Sequence, residues 1–391
     1  VVSLTEDFDL LAEIVSSVDP SFRGADQREL AVCLDDARQQ ASANRPQGFV
    51  LAAMRVMALA NNGHTRVIPN AAISVLPMRF VSIGSRVHLL KSSLHGGETP
   101  IGELIAVNDM PVEDVLSRSA AYLAGTKQRK RVIGPILLSW PFALSELGVS
   151  SANPCTTYRV RNTDGNVFIV KLDHDDAVPA GTLYPRNEHG RSDPDWAPET
   201  FANIHECDVG LAIALPSFFD PSGDRLEPCI AQAAERVSAC RGDGLLLDVR
   251  GNTGGDFLRT LPLIEAISQH PELRQVAVLV DKFTFSAAIV FVALLKHRLG
   301  QRLTIFGEEM GDRTTFFAEG DLVTLQHCGA ELRYSTAFHD WTLGSVDDTT
   351  PEDIAKHVVA AGSLEIDRGW IASPSDLSAP DSEYRTILRS L

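Results

Sequence analysis

Leu245-Leu246-Leu247-Asp248-Val249-Arg250-Gly251-Asn252-Thr253-Gly254-Gly255 is a short apolar run that stops at an Asp-x-Arg and a glycine-rich turn. A run bounded in this way reads as a buried strand ending in a loop. A second follows: residues 276–280 run into Asp281-Lys282-Phe283-Thr284-Phe285-Ser286, and residues 287–296 are then apolar, alanine-rich and long enough for about three helical turns. Ser286 therefore stands where a strand hands over to a helix. A helix start offers unpaired N–H groups and the positive end of the dipole. A serine there can expose its hydroxyl while neighbouring N–H groups face a developing oxyanion, as acyl transfer requires. Serine is equally a preferred helix cap. The paired Gly254-Gly255 turn tips the reading toward chemistry, because backbone without side chains can approach a substrate closely.

These residues resemble the serine peptidases that include the C-terminal processing proteases and the tricorn core protease. The 246–255 stretch is similar to that family's apolar pair followed by Asp-x-Arg-x-Asn-x-Gly-Gly. Phe285-Ser286-Ala287-Ala288 resembles its nucleophile loop, and Ile305-Phe306-Gly307-Glu308 the strand ending in Gly-Glu. Ile289 departs from the pattern, since many relatives carry glutamate there. The resemblance implies an α/β fold, with a ClpP/crotonase-like catalytic domain over 206–391. It also implies a peptide or unfolded-protein substrate and no cofactor.

Composition is that of an ordinary globular protein: 391 residues, 44% hydrophobic and 22% charged, enough for two or three domains. A net charge of −16 argues against nucleic acid or an anionic membrane as partner. The basic run Lys127-Gln128-Arg129-Lys130-Arg131 reads as a solvated loop or helix end. The six cysteines form no Cys-x-x-Cys pair and no zinc spacing, so no metal is expected. No apolar run reaches membrane-spanning length. The chain opens at Val1-Val2-Ser3 without Met or a signal-like run, which leaves a removed leader and a trimmed start as alternatives. The expected setting is extracytoplasmic, periplasmic or secreted, rather than cytoplasmic, and homo-oligomerisation stays open.

Residues 1–74 read as a helical subdomain, with Phe8, Leu11, Ile14 and Val15 at helical spacing and a second amphipathic stretch over 30–41. It ends in Asn61-Asn62-Gly63-His64-Thr65, a helix stop followed by a strand. Residues 75–205 read as a β-rich unit with connecting helices; Gly102 to Val112 resembles a hairpin of PDZ-like modules, with Asp109 in a glycine position. Asp164-Gly165 between two strand-like runs signals a hairpin. The polar stretch from His174 to Pro198 reads as an exposed connection or lid.

The family divides between a Ser-Lys dyad and a Ser-His arrangement. Asp312 stands where the dyad's lysine would be, and an aspartate cannot serve as that neutral amine. Gly63-His64-Thr65 resembles the segment supplying the catalytic histidine in the tricorn-like branch, so the resemblance implies an acyl-enzyme on Ser286 with His64 as general base. Lys282 or a water-mediated route is the alternative to His64 as base. Asp340, ahead of Asp347 and Asp348, is the candidate carboxylate to orient His64. The oxyanion hole would combine the N–H of Ala287 with one from Gly254 or Gly255. The alternative function is a catalytically silent peptide- or apolar-ligand-binding protein on the same scaffold.

Overall fold

The computed structural model describes residues 3–69, 71–91, 99–149, 154–180, 200–371 and 380–391. The chain divides into two compact units, Val1–Ser192 with Phe317–Ala337, and Asp193–Phe316 with Phe338–Leu391. This differs from the three-part division read from sequence. The helical and β-rich segments fall in one unit, and 317–337 leaves the expected catalytic domain to join them. The paired strands Thr315–Ala318 and Ala337–Asp340 carry the chain out of the second unit and back.

In the first unit, Leu4, Phe8 and Leu11 are buried along one face of α1 (Leu4–Glu13), which Ser3 caps. A π turn over Ile14–Val18 keeps Ile14 and Val15 in the same core. Asp26 caps α2 (Gln27–Ser42) by accepting from the N–H groups of Arg28 and Glu29. Pro46 opens α3 (Pro46–Ala58), whose residues from Phe49 to Met54 are all buried, as a helix apolar nearly all round requires. Leu325 and Leu332, from the returning segment, complete this core.

A separate core in the same unit is built on an antiparallel sheet with strand order β1 (Arg79–Ile83), β2 (Arg86–Lys91), β3 (Thr99–Val107), β4 (Cys155–Arg161) and β5 (Val167–Asp173). It packs Phe80, Leu89, Leu104, Tyr158 and Val160 together. Gly165, at φ +84°, turns the β4–β5 hairpin, and Asn162 closes it with its own carbonyl and side chain. The basic run differs from its expectation: Lys127–Ile133 is a helix capped by Thr126, and Gln128 and Arg129 are buried in it. Most of the polar stretch from His174 to Pro198 lies outside the described residues.

The second unit is organised on one sheet. Its strands are β6 (Asn203–Cys207), β7 (Gly210–Ala214), β8 (Gly244–Asp248), β9 (Gln275–Val280), β10 (Leu303–Gly307) and β11 (Arg368–Gly369), adjacent in that order. Only the β6–β7 pair is antiparallel. Helices α4 (Leu226–Ala239), α5 (Leu261–Gln269) and α6 (Ala287–Leu299) make the connections between β7, β8, β9 and β10. The last helix, α7 (Pro380–Ser390), lays Tyr384, Ile387 and Leu388 on a sheet face made by Ala212, Leu246, Ala277, Leu279 and Phe306. Burying the Ile387 and Leu388 side chains contributes about 1.5–3 kcal/mol each. Every residue of β8 is buried, which explains why its sequence is a continuous apolar run with no alternation.

Candidate active site

Parallel strands deliver their loops to one edge of a sheet, and that carboxyl edge is where open α/β sheets hold ligands. β8 and β9 are neighbours in register, with Asp248 opposite Leu279, so the turn after β8 and the loop after β9 emerge side by side. Three hydrogen-bonding groups lock them together. The Asp281 carboxylate accepts from the N–H of Gly251 in one loop and from those of Phe283 and Thr284 in the other, at 2.9–3.0 Å. The Thr284 hydroxyl donates to the Val249 carbonyl at 3.0 Å, and the Phe285 N–H to the Asn252 carbonyl at 3.0 Å. The Asn252 side chain donates to the Leu215 carbonyl at 2.8 Å and accepts the Gly254 N–H at 2.9 Å. Burial pushes the Asp281 carboxyl above its usual range, opposed by those backbone N–H groups.

Ser286 sits at φ 55°, ψ −126° as the N-cap of α6, a conformation that costs a non-glycine residue about 1–3 kcal/mol. It is partly exposed, whereas Phe285, Ala287 and Ala288 on either side are buried. The surrounding structure therefore holds the serine, and no other residue of the loop, in a strained and accessible position. Ala287 is the first residue of α6, and the N–H groups that follow it are already paired, Ala288 with the Phe285 carbonyl and Ile289 and Val290 with the Ser286 carbonyl. Gly254 (φ +103°) packs directly on this corner: a Cβ there would lie 2.6 Å from the Ser286 Cβ and 3.0 Å from the Ala287 nitrogen. Gly255 (φ +138°) is pressed onto the Phe218 backbone, 1.9 Å from where its Cβ would be. The Gly254 N–H donates to the Asn252 side-chain oxygen at 2.9 Å.

The Gly-Glu motif has a physical role as well. Gly307 and Gly311 let backbone pack against the carbonyls of Val280 and Lys282, and the Gly311 N–H donates to the Thr284 carbonyl at 2.9 Å. Glu308 pairs with the buried Lys282 ammonium at 3.4 Å. Asp312 is buried one residue beyond Gly311 and accepts the Arg313 N–H. Thr315, the N–H groups of Thr342 and Leu343, and Ser345 all donate to the Asp340 carboxylate. It is the cap of the 340–345 turn.

His64 belongs to the first unit and is 4% exposed. The residues on either side of its loop are fixed by a buried polar network that gave no signal in the sequence. Asn62 donates to Thr65, to Ser335 and to the Phe317 carbonyl at 2.9–3.1 Å. Asp19 accepts from the Thr65 hydroxyl at 2.6 Å, the Ser335 N–H at 2.9 Å and both the N–H and hydroxyl of Ser21. Asn62 is thus a donor to neutral acceptors, and the carboxylate of the network is that of Asp19. Asp281 and Thr284 were also missed as hubs; an Asp followed three residues later by Thr, just before a serine-initiated helix, was the available signal.

Among the described residues no group of three or more His, Cys, Asp or Glu side chains is arranged to hold a metal ion, and no helix is long and apolar enough to cross a membrane.

No family model matches the chain, and no curated protein sequence does. Among solved structures it is similar to mature CPAF complexed with lactacystin, with a TM-score of 0.61 and 15% identity over 99% of this chain and 97% of that one. It is similar also to mature CPAF alone, with a TM-score of 0.60 and 14% identity over 98% and 95%. The photosystem II D1 C-terminal processing protease aligns over 93% of this chain and 98% of its own at a TM-score of 0.39 and 14% identity. The likeness to CPAF is one of fold.

Proposed function

We propose that this protein is a serine-type peptidase of the tricorn-like, Ser-His branch, acting on peptides or unfolded chains through an acyl-enzyme on Ser286. One observation carries the reading: the strained, partly exposed Ser286 at the start of α6, with Gly254 cleared of any side chain against it. In this reading the Ser286 oxygen attacks the scissile carbonyl, and the Ala287 and Gly255 N–H groups receive the oxyanion. His64 takes the serine proton and returns it to the leaving amine. The Asn62–Asp19–Ser335 network orients the His64 loop in place of Asp340, whose carboxylate is committed to its own turn. The β-rich part of the first unit, PDZ-like in this reading, and the fold likeness to CPAF are compatible with it.

The test is labelling by a fluorophosphonate together with cleavage of a denatured protein substrate. Labelling at Ser286 and loss of both signals in Ser286→Ala are expected. His64→Ala and His64→Gln should lower turnover by about 10⁶-fold if His64 is the base. Wild-type protein that neither labels nor cleaves favours the silent binding protein, and near-normal turnover in both His64 variants moves the base elsewhere, with Lys282 next to be tested.

A further inference from the structure

Arg250 begins the turn that carries Gly254 and Gly255, and its guanidinium is held from two directions. On one side is Asp248, two residues earlier: its carboxylate accepts from the Arg250 backbone N–H, from Nε at 3.0 Å and from Nη2 at 2.7 Å. On the other is Glu383 of α7, which accepts from Nη1 at 3.0 Å and Nη2 at 2.8 Å. Such a two-pronged pairing fixes the plane of the guanidinium as well as its position. The Tyr384 hydroxyl donates to Asp248 at 2.9 Å, and the Trp370 indole N–H donates to Glu383 at 2.5 Å. Side-chain exposure is 17% for Arg250, 9% for Asp248 and 4% for Glu383, so solvent screens these charges little. Burial alone would lower the Arg250 pKa, but the hydrogen bonds and charges of Asp248 and then Glu383 reverse this and hold it charged.

The arrangement follows from strand periodicity. Alternation along β8 puts Leu246 and Asp248 on one face, the face that α7 covers through Ile387 and Leu388. The apolar seat of the helix thereby sets where Glu383 and Tyr384 meet the end of β8.

We propose that Glu383 and Tyr384 are positioning residues: α7 is a latch that holds Arg250, and through it the 251–255 turn, where the Gly255 N–H meets a developing oxyanion. This rests on the reading of Ser286 as the nucleophile. The turn has glycine at 251, 254 and 255, with φ of +72°, +103° and +138°, a backbone path that its anchors have to hold. Its geometry depends on its anchors. Asp281 holds the Gly251 N–H and Asn252 holds Leu215 and Gly254, while the start of the turn is held by Arg250. An oxyanion donor displaced by a fraction of an ångström loses stabilisation of the transition state without weakening ground-state binding.

The experiment compares full-length wild type, Glu383→Gln and Tyr384→Phe. Glu383→Gln keeps the side-chain volume and removes the charge; Tyr384→Phe removes one hydroxyl and keeps the ring, so it serves should the first variant fold poorly. The expected result is a kcat lowered by about 10–100-fold in Glu383→Gln and less in Tyr384→Phe, with KM within about twofold and fluorophosphonate labelling slowed in step. A folded variant with wild-type kcat, or a loss confined to KM, overturns the latch. Amide hydrogen exchange over 251–255 keeps this separate from the peptidase reading. Faster exchange there in the variants, with unchanged exchange over 275–280, supports the latch even if wild type neither labels nor cleaves. Equal exchange in all three proteins overturns it.

Discussion

Gly254 stands against Ser286 so closely that a Cβ on the glycine would be 2.6 Å from the Cβ of the serine. Its φ of +103° lies where an alanine is strained as well. Gly254→Ala should therefore push the nucleophile corner apart and lower kcat by about 10²–10³-fold, the order seen when one oxyanion donor is lost. Peptide turnover measured beside the fluorophosphonate labelling rate checks this. Full activity in a folded Gly254→Ala protein would show that the corner tolerates the displacement.

The backbone strain at Ser286 has a stability counterpart. Glycine adopts φ 55°, ψ −126° without the Cβ penalty that serine and alanine share. Ser286→Gly should accordingly be more stable than Ser286→Ala by about 1 kcal/mol, while both are inactive. Urea unfolding of the two variants gives the comparison, and an alanine variant as stable as the glycine one would mean that the loop relaxes.

Asp19 is 4% exposed, with both oxygens occupied by Ser21, Thr65 and Ser335. Removing it strands those donors in the interior of the first unit. Asp19→Ala should cost about 3 kcal/mol, more than an average core hydrogen bond, because several partners lose their acceptor at once. The loop bearing His64 should exchange its amides faster as a result. Chemical denaturation supplies the first number, and a loss below about 1 kcal/mol would mean that water replaces the carboxylate.

His339 is 2% exposed, stacked on Phe316 at 5.2 Å, and burial lowers its pKa to about 4. The folded protein thus keeps a neutral imidazole that the unfolded chain protonates near pH 6.5. The stability due to this difference is fully present above pH 6.5. It drains away as pH falls toward 4, by about 3 kcal/mol across the window. His339→Phe keeps an aromatic ring against Phe316 and removes the proton site, so its stability should fall less between pH 6.5 and 4 than that of the wild type. Parallel slopes for the two proteins would place the titration on other groups.

What the sequence determined by itself is local. Two apolar runs, their glycine turns and a serine at a helix start are short-range features, and burial on both faces leaves a strand no choice but to be apolar throughout. Hence β8, β9, α6 and the place of Ser286 were legible, as was the 162–166 hairpin. The tertiary structure decided what depends on distant partners. Asn62 meets Ser335 across 273 positions and Arg250 meets Glu383 across 133, and neither pair leaves a spacing that a window of residues can detect. The same reason applies to Asp340, whose carboxylate receives the N–H groups of Thr342 and Leu343 and the Ser345 hydroxyl only because the turn that follows it folds back. Arg129 looked solvated until its helix was packed. A hydrogen bond between far positions becomes favourable only once burial removes the competing water, so its partners are set by packing rather than by neighbouring residues.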